Sequence, residues 1–306
     1  MIEDLRIIFM GTPEFAVPSL EILVENIFNV VAVITAPDKP QGRGQKILPS
    51  PVKEVALKHK IPVLQPSNLK SPEFLEELSS YKADLQVVVA FRMLPESVWS
   101  MPAQGTFNLH ASLLPLYRGA APIHWAVMNG EEETGVTTFF LKHEIDTGSI
   151  IFQEKEPILY NDTVGTVYSR LMNKGGQLVL RTVEAIRDHT YKLTIQDETQ
   201  QVKHAPKIFR ETCEINWNQN SESVRNFVRG LNPFPVAWKK INDKTFKIFA
   251  VSVVQNNIMV APGQVETDHK TFIKVATLDG WISIEQLQME GKKKMNIIEF
   301  FRGNDI

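Results

Sequence analysis

Leu85-Gln86-Val87-Val88-Val89-Ala90 is a short, almost uninterrupted apolar run. A strand with one wet face alternates apolar and polar side chains. A continuous run of this length therefore predicts a strand covered on both sides, as in a parallel sheet. Residues 7–10 (Ile-Ile-Phe-Met) and 30–34 (Val-Val-Ala-Val-Ile) repeat the pattern upstream. Helical signals lie between these runs. Ser50 before Pro51 sets an N-cap and a first helical position for residues 51–60, and Ser71 before Pro72 does the same further on. Strands alternating with helices predict an α/β fold, a doubly wound, mostly parallel sheet. In such sheets ligands bind beyond the carboxyl ends of the strands.

Residues 163–189 read as one long helix, interrupted in composition by Gly175-Gly176. Residues 190–206 are polar with little periodicity. Beyond Lys207 the texture becomes strand-like at 246–254, 272–276 and 281–287, with Asp279-Gly280 as a hairpin signal between the last two. We expect an α/β domain over 1–189, a linker over 190–207, and a small all-β barrel of the oligonucleotide-binding (OB) type over 208–306.

The chain has 306 residues and a formal net charge of -2, which conceals an asymmetry. From Lys207 onward there are 14 Lys and Arg against 11 Asp and Glu. A mildly basic back half fits a part that touches nucleic acid, and equally a solvated surface. The single cysteine, Cys213, excludes an internal disulfide framework. Met-Ile-Glu-Asp places acids where a secretory leader needs positive charge, and no apolar run approaches a membrane span. A cytoplasmic protein with no membrane partner is the expectation.

Chemistry concentrates at Gly105-Thr106-Phe107-Asn108-Leu109-His110. In a strand, Asn108 and His110 leave on one face and Leu109 on the other. A neutral amide donor beside an imidazole suits a reaction that develops an oxyanion and moves a proton near neutral pH. Asp146, in Asp146-Thr147-Gly148 on a loop between apolar runs, is placed to orient that imidazole. Alone, these residues also read as a chain-turning Asn, a backbone-satisfied His and a turn Asp. Gly11-Thr12-Pro13-Glu14 after the first strand is no dinucleotide fingerprint, and Gly42-Arg43-Gly44 lacks the ending of a P-loop. His110, His124, His143 and Asp146 lack zinc-ligand spacing, so no metal is expected.

Asn108-Leu109-His110-Ala111-Ser112-Leu113-Leu114-Pro115, followed by Tyr117-Arg118-Gly119-Ala120-Ala121-Pro122-Ile123, resembles the signature of the folate-dependent formyltransferases. The resemblance to the members that act on aminoacylated tRNA runs from end to end. It takes in Phe9-Met10-Gly11-Thr12-Pro13, Asn232-Pro233-Phe234-Pro235 and Gly291-Lys292-Lys293-Lys294-Met295. It implies a catalytic domain followed by a tRNA-binding barrel. The implied reaction passes a formyl group from 10-formyltetrahydrofolate to the α-amine of a methionylated initiator tRNA.

By the same resemblance Asn108, His110 and Asp146 match the catalytic trio. Ser112, Leu113, Leu114 and Pro115 match a folate-contacting loop. Phe91, Arg92, Met93 and Leu94 border the pterin pocket, with Arg92 where many relatives carry Gly. The loop 38–50, with Lys39, Arg43 and Lys46, corresponds to a basic insertion reaching the tRNA acceptor end, and Lys53, Lys58 and Lys60 extend its charge. Lys292, Lys293 and Lys294 are candidates for phosphate contact. Two other functions are weighed: formylation of a small-molecule amine, and non-catalytic RNA binding. The basic loop and the additional domain argue against the first, and the intact trio argues against the second.

Overall fold

The computed structural model describes residues 5–41, 46–197, 202–242, 244–254 and 260–306. The chain forms two compact units that do not follow a single cut. One comprises Met1–Arg118, Gly135–Glu156 and Ser169–His204; the other comprises Gly119–Thr134, Pro157–Tyr168 and Ala205–Ile306. The sequential division expected from composition (1–189, 190–207, 208–306) thus contrasts with an interleaved one.

The first unit is built on a seven-stranded sheet. Its strands are β1 (Arg6–Gly11), β2 (Asn29–Ile34), β3 (Val63–Leu64), β4 (Leu85–Val89), β5 (Thr106–His110), β6 (Glu133–Phe140) and β7 (Ile150–Pro157), in the order β7-β6-β5-β4-β1-β2-β3. β5-β4-β1-β2-β3 are mutually parallel, and β6 runs antiparallel to β5. This is the doubly wound, mostly parallel sheet that the apolar runs predict. Ile8, Met10, Ala32, Ile34 and Val88 bury one face against Phe74, Leu78, Leu94 and Val98. Helices α1 (Val17–Glu25), α2 (Pro51–Lys58), α3 (Pro72–Ser80) and α4 (Glu96–Trp99) connect the strands. Ser50 and Ser71 cap α2 and α3 as expected, accepting from the amides of Lys53 and Phe74.

A long helix, α6 (Val164–Arg187), comes after the short α5 (Pro122–Met128). Its two glycines have a steric reason. A Cβ on Gly175 would lie 2.7 Å from Leu109 Cδ2, and one on Gly176 would lie 3.2 Å from Pro18. The helix therefore approaches the Leu109 face of β5 closely and leaves the Asn108/His110 face for other purposes.

The second unit holds a six-stranded antiparallel sheet: β8 (Ala237–Ile241), β9 (Lys244–Val254), β10 (Val265–Thr267), β11 (Ile273–Ala276), β12 (Trp281–Met289) and β13 (Met295–Asn296). The order is β8-β9-β12-β11-β10, with β13 pairing β12. The expected barrel-type domain is met by this antiparallel sheet, which curls into a half-barrel through register irregularities between Ile248 and Val251. Helices accompany the sheet. Helix α7 (Ser221–Gly230) buries Val224 and Val228 with Met128, and α8 (Ile297–Phe301) buries Phe300 against Phe246. Arg225 ties α7 to the segment before α6: Nη1 donates to Tyr160 O at 2.7 Å, and the guanidinium stacks 3.6 Å from the Tyr160 ring.

Candidate functional site

Asn108 and His110 project from the carboxyl half of β5, on the face opposite Leu109, with His110 buried and Asn108 half-buried. His110 Nε2 lies 2.9 Å from Tyr117 O. A carbonyl can only accept, so this nitrogen carries the proton and donates. Nδ1 then faces the Asp146 carboxylate, 3.9 Å from Oδ2. That separation exceeds a direct hydrogen bond, and both side chains are largely shielded from solvent.

Asp146 reaches His110 from the loop joining β6 and β7. Its backbone adopts φ +55°, a left-handed conformation in which Asp is among the tolerated residues. Two residues on, a Cβ at Gly148 would meet Phe140 O at 1.6 Å, so only glycine closes the loop here. The Asp146 and Gly148 carbonyls both accept from Gln196 Nε2, each at 2.8 Å.

Ser112, Leu113, Leu114 and Pro115 form the turn after β5. Ser112 is fully buried and its hydroxyl donates to Leu116 O at 2.6 Å. Thr137 on β6 organises this turn: its hydroxyl donates to Ser112 O (2.6 Å) and accepts from Leu114 N (3.2 Å). Gln153 Nε2 completes the arrangement, donating to Leu114 O (2.8 Å) and to the Thr137 hydroxyl (3.0 Å). Leu114 itself packs on Phe139 and Ile150.

The stretch after β4 divides. Leu94 belongs to the core, while Met93 is 73% exposed. Arg92 turns its guanidinium to the carbonyls of Ser67 and Pro66, bridging two loops at the carboxyl edge of the sheet, and lies 5.7 Å from the Phe91 ring.

The basic loop contains a two-stranded pairing, Lys39–Gln41 with Lys46–Leu48. Arg43 lies outside the described residues, as does the Lys46 side chain; Lys39 is exposed. The base of this hairpin is fixed by the Thr35–Ser50 hydroxyl pair (2.7 Å). Lys53 is committed there too, contacting Asp38 at 2.6 Å and Gln65 at 2.7 Å. Its hydrogen bond, then that of Gln65, holds the Asp38 carboxyl below its ordinary range. The expectation that Lys53 adds open positive charge is thereby corrected.

In the second unit, Lys292, Lys293 and Lys294 are exposed at the turn between β12 and β13, with Lys294 4.6 Å from the Phe249 ring. His124, on α5, approaches Phe234 O at 3.3 Å, and burial pushes its pKa down. His143 pairs with Glu96 at 3.2 Å. Among the described residues no three His, Cys, Asp or Glu converge to hold a metal, and no helix is long and apolar enough to cross a membrane.

The family description "Formyl transferase" matches residues 5–183, and "Formyl transferase, C-terminal domain" matches 207–305. The chain belongs to the formyl transferase family. Methionyl-tRNA formyltransferase of Bacteroides fragilis is 53% identical over 98% of this chain and 95% of its own length. The same enzyme of Bacteroides thetaiotaomicron is 53% identical over 98% and 96%. A solved N-formyltransferase of Helicobacter canadensis, in complex with folinic acid and dTDP-3-aminofucose, shares the fold with a TM-score of 0.69. It is 24% identical, covering 95% of this chain and all of that one.

Within this formyl transferase, three residues around the site escape a reading of the sequence: Thr137, Gln153 and Gln196. None carries a motif of its own. Thr137 and Gln153 stand inside strands, where period-2 patterning reports only a face. Gln196 stands in a stretch whose polarity reads as linker.

Proposed function

We propose that this chain transfers the formyl group of 10-formyltetrahydrofolate to the α-amino group of a methionylated initiator tRNA. The products are N-formylmethionyl-tRNA and tetrahydrofolate. The observation carrying this reading is near-full-length identity of 53% with methionyl-tRNA formyltransferases. The folate supplies an acyl carbon activated by its N10 leaving group. Apolar and exposed Met93 and the Phe91 ring, with the turn 112–115, provide a surface of the right chemistry for a pterin at the sheet's carboxyl edge.

The geometry supports the following roles for the chain's own residues. His110 Nδ1 and Asp146 Oδ2, 3.9 Å apart, can each accept one N–H of a primary amine, leaving its lone pair directed at the formyl carbon. As the new C–N bond forms, Asn108 donates to the oxygen that becomes negative. His110 Nδ1 takes the proton shed by the amine, and Asp146 offsets the charge of the imidazolium. The same nitrogen then returns the proton to the departing amine of the donor as the old C–N bond breaks. Tyr117 O holds Nε2, so the ring keeps its orientation throughout.

Arg43, Lys39 and Lys46 in the segment 38–50, and Lys292, Lys293 and Lys294 in the second unit, are proposed to meet tRNA phosphates. The deciding assay offers labelled formyl-folate with methionylated initiator tRNA, methionylated elongator tRNA, deacylated tRNA and a nucleotide-linked amino sugar. Transfer to the first at the highest kcat/KM is expected. Preferential transfer to the amino sugar overturns the tRNA reading, and transfer to none overturns the enzyme reading.

A further inference from the structure

We infer that Gln196 is a positioning residue that sets Asp146 against His110. The inference rests on the proposed proton-handling role of that pair. The Gln196 side chain is 4% exposed. Its Nε2 donates to Asp146 O and Gly148 O, and its Oε1 accepts a fork from Arg118 Nε (3.1 Å) and Nη2 (2.6 Å). Arg118 can only donate and the two carbonyls can only accept, so one orientation of the amide satisfies all four contacts. No other side chain of similar size donates twice at one end while accepting a guanidinium at the other.

The loop needs such a fastener. Asp146 sits at φ +55° after Ile145, which is 59% exposed and contributes little packing. The strand of chain presenting Gln196 is itself anchored. Thr194 exchanges both backbone hydrogen bonds with Ile150 (2.8 and 2.9 Å), and the Tyr191 ring rests 5.8 Å from that of Phe140. The imidazole half of the pair is tied to nearby chain as well. Lys203 O accepts from Tyr117 N at 2.6 Å, and Tyr117 O in turn receives His110 Nε2. Residues read from composition as a connector therefore fix both members of the pair, and Gln196 fixes the carboxylate.

The test is a double-mutant cycle in the full-length chain, read as single-turnover formylation of methionyl-tRNA. Gln196→Met removes both ends of the clamp at similar volume. Gln196→Glu keeps the Arg118 fork but points an acceptor at the Asp146 and Gly148 carbonyls. Both should lower kcat by about 10- to 100-fold, the scale of a displacement of ~1 Å at a reacting group. KM for the folate should stay within about threefold, since the turn at 112–115 is held by Thr137 and Gln153 instead. In an Asp146→Asn background, Gln196→Met should add less than about threefold, because the residue acts through Asp146. Unchanged kcat in folded Gln196→Met overturns the inference, and so does an equal loss in both backgrounds. Arg118→Met, which releases the outer end of the clamp, runs the same cycle if the Gln196 variants fail to fold, and an additive loss there is equally fatal. Should Asp146→Asn itself turn over normally, the reading of the pair fails, and that result is separable from any outcome at Gln196.

Discussion

At the scale of single residues, the proposed chemistry reduces to a donor, a proton acceptor and a carboxylate on one side of β5. Asn108→Ala should lower kcat by about 10²- to 10³-fold, the usual cost of losing one oxyanion donor. His110→Ala should fall at least as far, and equilibrium binding of a folate analogue should survive both changes. Near-normal turnover by either folded variant would remove that residue from the mechanism. Arg43→Ala should lower kcat/KM for methionyl-tRNA and flatten its salt dependence, while Arg43→Lys restores only part, because a point charge lacks the planar fork. Equal salt slopes for wild type and Arg43→Ala would leave the segment 38–50 without a tRNA role. Asn108 and His110 were legible in the sequence because a strand repeats every two residues and an apolar Leu109 between them dictates which face is which. Asp146 was legible only through its motif. Gln196 was not legible, since a buried glutamine whose partners are backbone carbonyls some fifty positions away leaves no local pattern.

At the scale of elements, Thr137 is the hub of the turn at 112–115. Thr137→Val keeps the shape but strands Leu114 N and one contact of Gln153, a loss of about 1–3 kcal/mol for a buried unpaired donor. The expected result is a lower melting temperature and a raised KM for the folate, with kcat much less affected. Asp279 shows a second case of one residue serving two elements. It stands in the turn between β11 and β12, and its carboxylate accepts from Ser221 N (2.7 Å) and Ser221 Oγ (2.9 Å) at the start of α7. The Ser221 backbone hydrogen bond holds its pKa below the ordinary carboxylate value. Stabilisation from a depressed carboxyl is present above its unfolded pKa, near 4, and is lost as the pH falls toward its folded pKa. Thermal melts of Asp279→Asn should therefore differ from wild type at pH 7, with the difference shrinking as the pH falls below about 4; a constant difference would discard the charge contribution. The strands on either side of Asp279-Gly280 were legible from alternation and turn chemistry. Helix α7 was not, because its apolar side is narrow (Val224 and Val228) and depends on partners distant in sequence. The close packing of α6 against β5 likewise explains Gly175-Gly176, which by local propensity weakens a helix.

At the scale of the whole molecule, the two family descriptions divide the chain in sequence, whereas the compact units interleave. Composition sees only a change of texture near residue 190; it does not see that Gly119–Thr134 and Pro157–Tyr168 pack with Ala205–Ile306. A chain ending at His204 deprives Met128 of Val224 and Val228, and deprives Tyr160 of Arg225. That truncation should aggregate on purification rather than yield a folded folate-binding half; a monomeric product with a cooperative melt would contradict the interleaving. The same arrangement has a consequence in time. Chains emerge from the ribosome from the amino end, at about 5–20 residues per second. Met128 leaves the exit tunnel long before Val224 and Val228 exist, so for on the order of ten seconds its apolar surface has no companion. Nascent chains in that interval are the natural clients of a chaperone at the tunnel mouth, and synonymous codons that slow translation between residues 168 and 221 should lengthen the exposure without altering a single atom of the finished protein.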